Sequence, residues 1–384
     1  MLHSKKVDNW ITNDHAKEYF FLRCKEFYLK SFNFFIALIY KTILFLCVKC
    51  MPSLILQMLI TGYRNTSLVM TAAKLKIPDL LNNNPATSDE IADFLQAHSG
   101  NLKRFMRALV CLGLVKEDRL GRFHITSMGA LLQSERSKTL RGAAIYLGET
   151  SYQAYSMLLR SITTGEVAFE SFYHLTLFEY IKNSAELSKY YNQTFANDAG
   201  IGLLVYRHDF SVARTILDIG GGSGMLVCSI LKVYPNLTGI VFDTENIVAD
   251  AAGYIHKENM TKRCQAVAGD FMKEIPDGKD IYILARVLNN WDDQQASLIL
   301  HNCHRAMKKT SKLLVIQKLI PERSYIGSEA VLGDMNALVH LGTSNRTKKE
   351  LQKLLSDNGF QFIKTVSLDA YDLYMVEFAP NEKQ

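Results

Sequence analysis

The chain lacks the features that mark several functional classes. Its seven cysteines (Cys24, Cys47, Cys50, Cys111, Cys228, Cys264 and Cys303) form an odd, scattered set. That argues against a disulfide-stapled framework and reads as reduced thiols in a cytoplasmic compartment. Cys47 and Cys50 have C-x-x-C spacing, but no second pair or nearby histidine completes a zinc site, so no metal is expected. No Lys-Ser or Lys-Thr pair closes the glycine run at Gly220–Gly224, which excludes a Walker phosphate loop. Nor is there a large excess of one charge. Forty-four Lys and Arg against 38 Asp and Glu leave +6. Much of the excess is local, at Lys5, Lys6, Lys17, Arg23, Lys25, Lys30, Lys41 and Lys49. Nothing in that balance calls for a nucleic-acid partner.

An uninterrupted membrane span is missing too. Residues 32–48 are almost wholly apolar, but Asn33 and Lys41 interrupt them. The run is short for a span, and a lysine near its middle makes crossing costly. It is no secretory signal, because the preceding segment is too long and no small-residue cleavage site follows. Three placements stay open: a helix packed into a dimer, an interfacial helix with Lys41 snorkelling, or a single span. The dimer helix is preferred, then peripheral membrane contact.

What is present centres on Ile216-Leu217-Asp218-Ile219-Gly220-Gly221-Gly222-Ser223-Gly224. An apolar run ends in an acid and glycines, and Met225–Leu231 resumes at helical spacing. This predicts a buried parallel strand turning sharply into a helix, with glycines where backbone approaches a ligand. Met225 stands where a dinucleotide loop has its third glycine. Asp218 puts a carboxylate beside the bend, which suits a ligand with an ammonium group better than a pyrophosphate. A second strand, Thr238–Phe242, ends in Asp243, about 20 residues on, where an acid accepts from ribose hydroxyls. A third ends in Gly269-Asp270-Phe271, placing an acceptor for an adenine amine beside a ring to cover its face. The bland alternative is that these acids cap helices. Three at successive strand ends favour an adenosyl ligand with a zwitterionic tail, S-adenosylmethionine.

These segments resemble the S-adenosylmethionine-dependent O-methyltransferases that act on caffeic acid, hydroxyindoles and bacterial polyketides. The resemblance also rests on Val287–Asp293 and on Asn345-Arg346-Thr347, and runs from roughly Leu54 to the end of the chain. It implies an α/β fold: a doubly wound Rossmann-like sheet behind an N-terminal, mostly helical winged-helix dimerisation domain. The expected division is an extension (1–50), a dimerisation and lid domain (51–195) and a cofactor domain (196–384). Cofactor contacts are expected from Asp218, Gly220, Gly222, Asp243, Gly269, Asp270 and Phe271.

The N-terminal domain carries its own signals. Ala72–Leu81 reads as a helix stopped near Pro78, and Thr87–Glu90 as a capping box opening another. Leu102, Phe105, Met106 and Leu109 recur at helical spacing, and Val115 with Phe123–Ile125 reads as a wing. Lys103, Arg104 and Arg107 sit where a recognition helix would be. They are too few for DNA; what the family resemblance implies for this module is a homodimer. For Tyr152 a substrate contact and core packing stand level, while Tyr155 is read as packing.

The chain departs from the family where the base belongs. In the family, Leu-His-Asp-Trp supplies a His that takes the acceptor proton. Here Asn289 stands at the His and Asn290 at the Asp. Asn345 replaces the acid that would orient the His, and Asp334 stands where the family has another acid. A carboxamide does not titrate in the useful range, so Asn289 cannot be a general base. Orientation alone accounts for roughly 7–11 kcal/mol in intramolecular models, against roughly 3–5 for a general base. The expectation is methyl transfer to a small aromatic or polyketide-like acceptor, with Asn289, Asn290 and Asp334 at the reacting centre. Two other readings stand beside it: a cofactor-binding relative with hydroxylase- or pericyclase-like chemistry, and a non-catalytic winged-helix dimer.

Overall fold

The computed structural model describes residues 42–136, 139–196, 204–368 and 372–381, with the side chains of 195 and 196 left out. Most of the 32–48 run, and Cys24, therefore lie outside it. The described residues form two compact units, one comprising 52–196 with 333–344, the other 204–332 with 345–381 and 42–51.

In the first unit, helix Gly62–Lys74 carries Ala72 and Ala73 into the core. The helix expected to stop near Pro78 ends earlier, at Lys74, and a second one begins at Ile77. Lys76 adopts φ +53 and turns the chain, and Pro78 sits in the first turn of that second helix, Ile77–Leu80. Proline suits that position because the N–H it lacks would have no intrahelical acceptor there. The capping box is present: Thr87 accepts from the Glu90 amide at 3.3 Å, and Glu90 accepts from the Thr87 amide at 2.7 Å. The helix it opens, Ser88–Leu95, buries Ile91 and Ala92 but leaves Phe94 exposed. Helix Ser99–Cys111 buries Leu102, Met106 and Leu109. Strands β1 (Ala86–Thr87), β2 (Val115–Glu117) and β3 (Arg122–Ile125) pair antiparallel in the order β1-β3-β2, which makes the wing.

A second core in this unit gathers Tyr146, Ala154, Phe169, Tyr190 and Val339. Here the 333–344 segment is tied in by His340. Its Nδ1 lies 2.8 Å from the Asn336 carbonyl and its Nε2 lies 2.9 Å from Ser151 Oγ.

The second unit is built on seven strands: β4 (Thr215–Ile219), β5 (Thr238–Asp243), β6 (Cys264–Ala268), β7 (Ile281–Ala285), β8 (Lys312–Lys318), β9 (Phe360–Ser367) and β10 (Leu373–Pro380). Their order is β6-β5-β4-β7-β8-β10-β9. The first five run parallel, and β10 is antiparallel to both neighbours. Leu217, Ile219, Tyr282, Leu284, Leu313 and Val315 fill one face. Ile216, Ile281, Ile283, Leu314 and Ile316 fill the other. Burial on both faces is why these strands read as continuous apolar runs. Sequence order runs outward from β4 through β5 to β6 on one side and through β7 to β8 on the other. That reversal opens a crevice beyond the carboxyl end of β4, where such sheets bind ligands.

Candidate active site

The bend after β4 is shaped by three glycines in the left-handed region: Gly220 at φ +68, Gly222 at +55 and Gly224 at +77. A Cβ on Gly220 would lie 2.8 Å from Val287 Cγ2, and one on Gly221 would lie 2.9 Å from Val241 Cγ1. On Gly222 it would meet nothing within 4 Å. Two of the glycines thus allow the loop to pack down, and the third faces open space. Helix Met225–Val233 begins directly after them.

Asp243, at the end of β5, is held by backbone donors. Its Oδ2 accepts from the Gly222 amide at 3.0 Å and its Oδ1 from the Thr244 amide at 2.7 Å. Oδ1 also accepts from the Thr244 hydroxyl at 3.4 Å, while Oδ2 keeps a further lone pair, so the group is aimed and still able to accept from a ribose hydroxyl. This cradle fits the ribose of an adenosyl cofactor.

Asp218, near the end of β4, is buried. It is 1% exposed, and its Oδ1 has no hydrogen-bond partner. Burial, and then the charge of Asp243, push its carboxyl up to about 8. The physical cause is position: Asp218 pairs in register with Val241 and Ile283 at the middle of the sheet. Beside Gly221 at the bend, its carboxyl holds its proton more tightly than an ordinary carboxylate does.

Gly269 follows β6, and a Cβ there would fall 2.3 Å from Cε2 of Phe242. Only a glycine lets the chain cross that ring. Asp270 Oδ1 accepts from the Met272 amide at 2.9 Å, and Oδ2 lies 3.5 Å from Lys273 Nζ, with the side chain half exposed. Phe271 meets Trp291 edge-on at 6.0 Å. Asn302 holds this turn from beneath, donating to the carbonyls of Phe271 at 3.0 Å and Met272 at 2.9 Å. Sequence reasoning passed over Asn302. Its signal was a polar residue on the buried stripe of helix Asp293–Ala306, beside Ile299 and Cys303.

After β7 the chain turns through Arg286, at φ +61, into a short 3-10 turn, Leu288–Asn290. Asn289 Nδ2 donates to Asn290 Oδ1, and Asn290 Nδ2 to the Arg286 carbonyl, both at 3.2 Å. Arg346 reaches into the same turn, its Nη1 donating to the Leu288 carbonyl at 2.7 Å and its Nη2 to the Trp291 carbonyl at 3.0 Å. Bend, Asp243, Gly269–Phe271 and the asparagine turn all belong to one unit. Asp334, on helix Glu329–Leu341, and Tyr152, 40% exposed, belong to the other. Tyr155 donates its hydroxyl to Asn336 Oδ1 at 2.8 Å. Among the described residues no group of three or more His, Cys, Asp or Glu could hold a metal ion.

Comparison with known proteins agrees with this geometry. The profile of an O-methyltransferase domain matches residues 155–361, and that of an O-methyltransferase dimerisation domain matches 57–135. Over 335 residues the chain is 36% identical to the phenazine O-methyltransferase PhzM of Lysobacter antibioticus, covering 86% of this chain and 96% of that one. The crystal structure of LaPhzM matches with a TM-score of 0.82 at 35% identity, over 85% of this chain and 99% of that one. An O-methyltransferase from neocarzinostatin biosynthesis was solved with S-adenosylmethionine and 2-hydroxy-5-methyl naphthoic acid. It matches with a TM-score of 0.72 at 25% identity, over 82% of this chain and 96% of that one. A family match across more than half of the sequence, laid over a crevice shaped for an adenosyl group, settles the assignment: the chain belongs to the S-adenosylmethionine-dependent O-methyltransferases.

Proposed function

We propose that this enzyme methylates a hydroxyl on a small polycyclic aromatic acceptor, of the hydroxyphenazine or hydroxynaphthoate kind, without a general base of its own. The observation that carries the reading is the pairing of a formed cofactor cradle, Gly222 on Asp243, with a carboxamide pair, Asn289 on Asn290, at the neighbouring strand end. Asp243 would hold the ribose, the Gly220–Gly224 bend the methionine end, and Asp270 with Phe271 the adenine. When bound, S-adenosylmethionine supplies an electrophilic methyl group. Asn289 and Asn290 orient the acceptor oxygen and leave its proton to solvent, so the acceptor must be acidic enough to ionise unaided.

Residues 51–195 serve dimerisation and 196–384 the chemistry. The homodimer forms through the family's dimerisation region, near which Leu54, Leu56, Met58, Leu59 and Ile60 are exposed. No single described helix is long and apolar enough to cross a membrane; helices Thr42–Cys50 and Pro52–Ile60 meet at a 105° bend. That bend and the neighbouring dimerisation region favour a partner subunit over a bilayer as the cover for this apolar surface, in a cytoplasmic enzyme.

The test is to incubate the protein with S-adenosylmethionine and a panel of hydroxyphenazines and hydroxynaphthoates, and to follow S-adenosylhomocysteine and methyl ether by mass spectrometry. Product formation across the acidic members is expected. Tight cofactor binding with no turnover on any of them would overturn the reading. Sizing chromatography and flotation with anionic vesicles separate dimer from membrane contact.

A further inference from the structure

We infer that Arg346 is a positioning residue that fixes Asn289 in place for catalysis, an inference that rests on the methyl-transfer reading above. The turn bearing Asn289 has little structure of its own. It starts at a non-glycine residue in the left-handed region, Arg286, and contains a single 3-10 turn. Its two flanking carbonyls, Leu288 and Trp291, are both held by one guanidinium, through Nη1 at 2.7 Å and Nη2 at 3.0 Å. The same group donates from Nε and Nη2 to Asp293 Oδ1 at 2.9 and 2.7 Å. Asn289 and Asn290 therefore sit between two backbone oxygens whose separation is set by one rigid, planar fork.

The fork is itself anchored. Arg346 is 5% exposed, and its carbonyl accepts from the Ile320 amide at 3.1 Å. Thr347 caps the next helix, Lys348–Asp357, in a box with Glu350, and that helix buries Leu351, Leu354 and Leu355. A continuous path thus runs from a core helix, through Arg346, to the turn that presents the carboxamide. The charge is balanced at the solvent end, where the Asp293 side chain is 81% exposed. Lysine cannot reproduce this, since an ammonium is a point donor without a fixed fork. Without the fork the Leu288 carbonyl loses the shorter of its two hydrogen bonds and keeps only the one from the Trp291 amide at 3.4 Å. In an enzyme that relies on orientation, a shift of this turn acts directly on turnover.

The experiment compares Arg346→Lys, Asp293→Asn and Asn289→Ala with wild type. The chain has two tryptophans, so a Trp10→Phe background leaves Trp291 as the only reporter of the turn. Three readouts are taken: Trp291 emission, calorimetric affinity for S-adenosylhomocysteine, and kcat with a hydroxyphenazine. For Arg346→Lys a kcat loss of roughly 10- to 100-fold is expected with a shifted Trp291 emission, while cofactor affinity stays within about twofold. Asp293→Asn, altered at an exposed side chain, should move Trp291 and kcat the same way by a smaller factor, and it decides the matter if Arg346→Lys does not fold. Unchanged Trp291 emission in both variants, or a parallel loss of cofactor affinity, overturns the inference. The underlying reading fails separately, if Asn289→Ala keeps full kcat. If the hydroxyphenazine is not methylated by wild type, Trp291 emission and cofactor affinity still decide on Arg346.

Discussion

The amide of Gly222 donates to Oδ2 of Asp243 at 3.0 Å, tying the bend after β4 to the acid that ends β5. Replacing Asp243 with Ala removes the loop's acceptor and, with it, the ribose contact proposed above. Hydrogen bonds to a charged group contribute about 1.5–3 kcal/mol each, so S-adenosylhomocysteine affinity should fall by at least ~10-fold. Asp243→Asn, which keeps one acceptor oxygen, should fall in between. Isothermal titration calorimetry reads both, and wild-type affinity in the Ala variant would remove Asp243 from the site.

Two glycines differ sharply in what a methyl would do. Gly269→Ala sets a Cβ 2.3 Å from the Phe242 ring, and overpacking of that kind costs about 1–3 kcal/mol. Gly253, inside helix Glu245–Lys257, has open space around it. There Ala should stabilise by about 0.4–1 kcal/mol. Denaturant melts of the two variants should move in opposite directions.

Asp218 gives a pH signature. Its carboxyl rises from 3.8 to about 8 on folding, so the folded state binds its proton more tightly than the unfolded chain does. Its contribution to stability is complete below pH 3.8, declines as pH rises, and is gone above about 8. Asp218→Asn stays neutral throughout. The stability difference between variant and wild type should therefore grow with pH across that window and level off above it. A constant difference would show that Asp218 is ionised in the folded protein.

The asparagine turn predicts a rate that follows the acceptor's chemistry. With no enzyme base, log kcat/KM should rise with pH up to the acceptor's own pKa, and shift when the acceptor is changed. Asn289→His should not restore transfer to a weakly acidic phenol, because Asn345 offers the imidazole no orienting carboxylate. A robust gain from that single change would contradict the orientation mechanism.

How much of this could be read from the chain depended on whether a feature is local. The glycine bend, the Thr87–Glu90 box and Asp243 at the end of β5 are local, and each stands where its spacing placed it. Pro78 misled because proline both ends helices and starts them, and Lys76 at φ +53 decides which. Asp218 read as a charged carboxylate beside the bend, because nothing local reports that Val241 and Ile283 flank it. The pairing of residues 333–344 with the first unit, and the reach of Arg346 to Leu288, join segments far apart in sequence. No periodicity or motif carries that information.

The place of β10 has a consequence for biosynthesis. It is the last of the seven strands to be made, yet it lies between β8 and β9. Until it emerges, β8 has a bare edge and β9 has no partner at all. Unpaired edges of this kind invite association with other chains. A nascent polypeptide stalled before Leu373 would thus hold a finished cofactor crevice beside an unprotected flank, making that interval the point where chaperone help matters most.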